Sequence, residues 1–201
     1  MNQIETILIN NPIRRALQRR YEMPLLQRMG GTLPDGAHVL EIGCGPGYGA
    51  RLILESCGAA RVDAVDLDPA MVTRARRRLA PHAGQVRVGV ADATDLRALV
   101  PESGVYDAVF DFGIIHHIPR WRAALSEVAR VLKPGGVFYF EEVTRHALNR
   151  AGYRALFDHP EHDRFSDTEF IAELARHGMA VRAHRTIAFG DFVIGAADRT
   201  R

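Results

Sequence analysis

The stretch Val39-Leu40-Glu41-Ile42-Gly43-Cys44-Gly45-Pro46-Gly47-Tyr48-Gly49 decides the fold. An apolar run carrying one acid passes without a spacer into alternating glycines. Glycine is needed where backbone must bend sharply and approach a ligand with no Cβ between them. A strand that feeds such a turn and then a helix is the entry to a nucleotide site. Asp66, 19 residues beyond Gly47, supplies the acid expected at the end of the next strand.

Outward from this loop, short apolar runs alternate with amphipathic stretches, the pattern of strand–helix units and a parallel sheet. The runs predict strands over His38–Ile42, Arg61–Leu67, Val86–Ala91, Tyr106–Phe112 and Val137–Glu141. Helices are expected over Tyr48–Ser56, closed by Gly58; from Pro69 to Leu79, capped by Asp68; and over Arg120–Leu132, ended by Lys133-Pro134-Gly135-Gly136. Towards the C-terminus, Ser166-Asp167-Thr168-Glu169 matches a capping box for a helix that ends at Gly178. Val181–Phe189 and Phe192–Ala197 flank Gly190-Asp191, a spacing that predicts an antiparallel pair joined by a two-residue turn. Before the glycine loop, Asn11 and Pro12 begin a helix, and Pro24 should break or kink it, giving two short helices before Gly30-Gly31.

The 201 residues suit one domain, with 47% hydrophobic and 25% charged residues, an ordinary globular balance. A net charge of +2 gives no global field that would call for nucleic acid or an acidic surface. Arginines do gather at Arg14, Arg15, Arg19, Arg20 and at Arg74, Arg76, Arg77, Arg78, where a solvated helix face accounts for them. Two cysteines, Cys44 and Cys57, form no disulfide framework and no paired metal motif, which fits a reduced, cytoplasmic setting. No apolar run approaches the roughly 20 residues of a transmembrane helix, and no signal peptide is evident.

The spacing of the glycines separates two nucleotide chemistries. A dinucleotide fingerprint needs its third glycine three residues after its second, whereas here position 48 is Tyr and the glycines fall at 43, 45 and 47. The pattern resembles motif I of class I S-adenosylmethionine-dependent methyltransferases, and the likeness runs over about residues 36–143. Val65-Asp66-Leu67-Asp68, Ala91-Asp92-Ala93, the run from Tyr106 to Pro119, and Val131-Leu132-Lys133-Pro134-Gly135-Gly136 resemble the later motifs in their order. Among such enzymes the chain is most similar to the small-molecule group called methyltransferase type 11.

The resemblance implies an α/β fold, a Rossmann-like seven-stranded, mostly parallel sheet with helices on both faces and a C-terminal antiparallel strand pair. It implies one methyltransferase domain over 1–201: an N-terminal helical cap at 1–35, a cofactor-binding core at 36–143, a substrate-lid insertion at 144–165, and a C-terminal helix and β-hairpin at 166–201. S-adenosyl-L-methionine is the implied cofactor, held by Glu41, Gly43, Cys44, Gly45, Gly47, Asp66, Leu67, Asp92, Ala93 and Phe112. Asp66 is expected to accept the ribose hydroxyls and Asp92 the adenine amino group. As alternatives, Asp66 and Asp92 could cap the helices that follow them.

On the acceptor side the candidates are His116, His117, Asp111 and Tyr21. Both histidines follow a strand end, where open α/β sheets form their ligand crevice, although local packing is an equal reading. Asp111 departs from the family, which carries a small or neutral residue there; it could receive the cofactor ammonium or act on substrate. His159 and His162 are further bases, with a polar lid loop preferred to metal ligation, and no metal is expected. The lid would bring Tyr153, Leu156, Phe157 and Phe165 over a partly hydrophobic small-molecule acceptor. Nucleic acid is not an expected partner, and the chain is expected to be a monomer or homodimer. A macromolecular methyltransferase and a non-catalytic cofactor-binding protein are the competing readings.

Overall fold

The computed structural model describes residues 11–150 and 163–200. It contains a seven-stranded sheet in the order β3-β2-β1-β4-β5-β7-β6. The strands are β1 His38–Ile42, β2 Arg61–Asp66, β3 Val86–Val90, β4 Tyr106–Phe112, β5 Leu132–Val143, β6 Met179–Ile187 and β7 Phe192–Arg199. β1 to β5 run parallel, and β7 is antiparallel to both β5 and β6. From β1 the chain winds first to β2 and β3, then returns to β4 on the other side. The crevice of an open sheet lies at such a reversal, here between the carboxyl ends of β1 and β4.

Alternation along the strands divides the interior into two layers. On one face, Leu40, Ile42, Val109, Phe138 and Phe140 pack with Trp121, Leu125 and Val128 of α5 (Trp121–Val131) and with Phe170 and Leu174 of α7 (Asp167–Arg176). On the other, Val39, Ala64, Phe110 and Tyr139 meet Met23, Leu26 and Met29 of α2 (Met23–Gly30). Leu52 and Ile53 of α3 (Tyr48–Cys57) and Ala75 and Leu79 of α4 (Pro69–Leu79) complete that layer. Helices on both faces therefore follow from strands that are apolar on both sides.

The predicted caps are made. Asp68 accepts from Ala70 N at 2.7 Å, and Ser166 and Glu169 close the capping box reciprocally, at 3.2 and 2.8 Å. Two expectations are corrected. The N-terminal segment does not break at Pro24: α1 (Pro12–Leu17) passes through a π turn, Gln18–Glu22, into α2 with helical dihedrals throughout. The wider turn opens the backbone just before the proline, so its missing amide falls in the first turn of α2, where no partner is needed. The last hairpin is joined by four residues, since Ile187 pairs with Phe192. Ala188 and Phe189 take left-handed dihedrals, and the widened turn docks on Thr144, whose N–H and hydroxyl donate to the carbonyls of Asp191 and Gly190.

Of the expected lid, α6 (Arg145–Leu148) is present. Tyr153, Leu156, Phe157, His159 and His162 lie outside the described residues. Phe165 does not face a cavity: it is buried against Trp121 and Phe170, with ring centroids 4.8 and 4.9 Å apart.

Candidate active site

Three glycines with positive φ follow β1, and each serves a different purpose. A Cβ on Gly43 would stand 2.3 Å from Ile114 Cγ1, so this glycine lets the loop after β4 close against the loop after β1. A Cβ on Gly47 would stand 2.9 Å from Leu79 Cδ1 and 3.1 Å from the Ala75 backbone, so that residue seats the loop on α4. At Gly45 the same atom would meet nothing within 4 Å. Packing explains the first and third glycines, and an open approach to backbone remains at the second.

Asp66 at the end of β2 ties this loop down, accepting from Gly45 N at 2.8 Å and from Asp68 N at 2.9 Å. Burial and the neighbouring Asp68 charge push its carboxyl above the usual range, while the amide donors act the other way. Asp68 caps α4, so Asp66 is not the cap, and its two oxygens keep lone pairs beyond those the amides use. Asp92 accepts from Thr94 N at 2.8 Å, an Asx turn that leaves one carboxylate oxygen for other donors. A cleft of about 260 Å³ opens beside both aspartates. Gly43, Leu67, Ala93 and His117 also line it, together with Ile114, Ile118, Pro119 and Arg120 from the loop after β4.

The carboxyl edge of the central strands is rich in acid, distributed over both faces. On the α2–α3 face Glu41 is 2% exposed, and its Oε2 has no hydrogen-bond partner. Gly49 makes room for it, since a Cβ there would stand 2.0 Å from Glu41 Oε1. Burial, reinforced by the charges of Asp66 and Asp111, raises the Glu41 carboxyl well above the usual range, while the Ala50 N–H opposes the shift. Glu141 lies on the same face beside Glu22, and Arg14 from α1 bonds to both. Burial, then the Glu22 charge, holds Glu141 well above the usual range despite Arg14.

On the other face Asp111 and Glu142 stand against each other, both fully buried. Glu142 accepts from Ile115 N at 2.6 Å, His116 N at 3.1 Å and His116 Nδ1 at 2.6 Å. Asp111 Oδ1 accepts from Gly113 N at 3.1 Å and Ile114 N at 2.9 Å. Burial pushes Glu142 up to about 7 and also holds Asp111 well above the usual carboxylate range, with the adjacent Glu142 adding to the shift in Asp111. Burial also pushes the His116 imidazole down to about 3, so it is neutral and its Nδ1 proton is donated to Glu142.

The sequence candidates therefore separate. Gly43, Asp66, Leu67, Asp92, Ala93 and His117 are brought to one cleft. Glu41 and Gly45 are not among the residues that line it. Gly47 and Phe112 support the loop, Phe112 packing where Gly49 leaves space. Cys44 is a buried thiol whose Sγ points to Gly45 O at 3.6 Å, and burial raises its pKa. His116 and Asp111 turn to Glu142, and Tyr21 is 46% exposed on the helix. Sequence reasoning missed Glu142, Ile114 and Arg14: Glu142 reads as an ordinary strand residue until a turn 26 or 27 positions earlier supplies its donors.

A family model described as a methyltransferase domain matches residues 39–136. Over this region the chain is similar to class I S-adenosylmethionine-dependent methyltransferases. A malonyl-[acyl-carrier protein] O-methyltransferase of Halorhodospira halophila is 33% identical over 160 residues, 78% of this chain and 52% of that protein. A ubiquinone biosynthesis O-methyltransferase of Xanthomonas axonopodis pv. citri is 36% identical over 114 residues, 56% of this chain and 45% of that protein. The chain thus spans about half the length of these curated relatives. In fold it is similar to a SAM dependent methyltransferase from Aquifex aeolicus, with TM-score 0.73 and 20% identity over the full length of both chains.

Proposed function

We propose that this chain transfers a methyl group from S-adenosylmethionine to a small, partly hydrophobic acceptor by in-line displacement. The observation that carries the reading is the buried, unpartnered Glu41 oxygen beside a backbone cradle left open at Gly45. A buried acid without a partner is costly unless a cation or donor meets it. A ligand bearing an ammonium and a sulfonium meets that need, and hydroxyl and amino donors match the acceptor-only Asp66 and Asp92.

In this reading Asp66 takes the ribose hydroxyls, Asp92 and the Ala93 amide the adenine edge, and Glu41 the ammonium region. Leu67, Ile114 and Ile118 supply apolar walls. When bound, the cofactor provides a methyl group made electrophilic by its sulfonium. The protein then has to align an acceptor behind the carbon–sulfur bond, and alignment alone is worth effective molarities of about 10⁵–10⁸ M. The chemistry so supplied would be a displacement in which an acceptor lone pair replaces the carbon–sulfur bond, whose electron pair would remain on sulfur. For a hydroxyl acceptor His117, which lines the cleft, takes the released proton, a role worth about 10²–10⁴-fold.

The O-methyltransferase names of the relatives support an oxygen acceptor. The reduced cysteines Cys44 and Cys57 support a cytoplasmic setting, and no helix among the described residues is long and apolar enough to cross a membrane. No global charge favours nucleic acid, and a monomer or homodimer suffices for such a site. Calorimetry with S-adenosylmethionine, followed by incubation of the labelled cofactor with phenolic and carboxylic acceptors, tests the proposal. Binding with label in a methylated product is expected; absence of binding would overturn it.

A further inference from the structure

The loop after β4 is unusual in how it is held. Gly113 to His116 contribute four backbone N–H groups and one ring N–H, and all five point at two carboxyls, Asp111 and Glu142. Val143 N adds a further bond to Glu142 at 3.2 Å. This loop carries Ile114, His117 and Ile118 into the cleft, and Ile114 also fills the space left by Gly43. Neither carboxyl lines the cleft itself. Side by side and fully buried, they cannot both be ionised, so they hold a proton between them.

We infer that Asp111 and Glu142 are positioning residues: Glu142 is the acceptor that fixes the Gly113–Ile118 turn, and Asp111 is the donor that lets Glu142 remain buried. Asp111 Oδ2 is buried without a hydrogen-bond partner of its own; carrying the shared proton would make it a donor towards Glu142, while Asp111 Oδ1 receives Gly113 and Ile114. Neutral His116 completes the acceptor shell of Glu142 and stays in one tautomer. The groups against Glu142 are Asp111 from β4 and His116 from the turn, while Val193 across on β7 is apolar. Alternation puts Glu141, Arg14 and Glu22 on the opposite face. Glu41 and Glu141 lie within electrostatic reach of Asp111 through the sheet, and an ionised Asp111 would raise both.

A protonation event below the floor of the cleft then becomes a change in its wall. Above about pH 7 Glu142 is ionised and accepts its full set of donors. Below that value it takes up a second proton, becomes a donor facing donors, and releases the turn. Methyl transfer should therefore fall as pH drops through this value, and cofactor affinity with it, because the turn carries Ile114 and Ile118 of the cleft wall.

The kinetic consequence rests on the methyl-transfer reading; the structural one does not, and the test keeps them apart. In the ¹⁵N-labelled full chain, the amides of Ile115 and His116 should titrate together near pH 7, and in Glu142→Gln this titration should vanish. With an acceptor, Glu142→Gln should lose on the order of 10²-fold in kcat, the scale of a small misplacement. The acid limb of its pH profile should disappear. Asp111→Asn, which offers an amide N–H to Glu142 and a carbonyl to Gly113, should keep both the titration and the acid limb. Amides that do not titrate in the wild type, or a limb lost in Asp111→Asn but kept in Glu142→Gln, would overturn the inference. If Glu142→Gln fails to fold, the wild-type and Asp111→Asn titrations decide it. Absence of cofactor binding by the wild type would sink the proposed function and leave the amide titration standing.

Discussion

Two aspartates end neighbouring strands at the same edge of the sheet, and they have opposite fates. Asp66 on β2 lines a cleft beside a glycine that faces open space. Asp111 on β4 is fully buried, bonded to its own loop and pressed against Glu142. The β1–β2 half of the edge leaves acceptors open to a ligand, and the β4–β5 half turns them inward to build a wall. Each acid accepts two backbone amides, so what separates them is whether the carboxyl borders the cleft.

The largest effect that would break this contrast is on cofactor affinity. Asp66→Ala should weaken S-adenosylmethionine binding by at least about 10²-fold, as two hydrogen bonds to a charged group at about 1.5–3 kcal/mol each imply. Calorimetry that found the affinity unchanged would remove Asp66 from the site.

The glycines sharpen the contrast further. Gly43→Ala forces a methyl group into Ile114, and overpacking of this kind costs about 1–3 kcal/mol, so its melting temperature should fall. Gly45→Ala meets no neighbour and should lose affinity more than stability, beyond the roughly 1–2 kcal/mol of a left-handed alanine. Melting curves and calorimetry on the two variants should rank them in opposite orders.

Proton linkage is a subtler effect. Glu41 and Asp66 both have raised carboxyl pKa values because they are buried. A bound cation favours the ionised carboxylate, so binding should release protons and affinity should rise with pH. Calorimetry in buffers of different ionisation enthalpy measures the release directly; uptake would contradict the charge assignment.

The smallest effect on binding is expected at the far end of the same sheet. Asp63 is buried, which alone would raise its pKa, but bonds from His38, Arg87 and Tyr106 hold it well below the usual range. A depressed carboxylate contributes stability above the unfolded value and loses it as pH falls below about 4. Asp63→Asn should cost about 1–3 kcal/mol near neutral pH, with no change in cofactor Kd.

Much of the fold was legible because its cues are local. The glycine loop, the Asp68 and Ser166 caps and the strand runs each depend on residues within one turn or one strand. The errors came where distant contacts compete with local rules. Pro24 reads as a helix break, yet packing of Met23, Leu26 and Met29 on the sheet keeps the chain helical and displaces the irregularity into a π turn. Gly190-Asp191 reads as a tight turn, yet Thr144 draws the loop wider.

The sequence by itself determined the parallel sheet, the glycine loop and the acids at the neighbouring strand ends, since each rests on spacing along one strand–loop–helix unit. Only the tertiary structure decided which acids stay open, because that depends on where remote amides point. It turned Asp111 and His116 inward to Glu142, left His117 on the cleft, and moved Phe165 from the expected roof into the core.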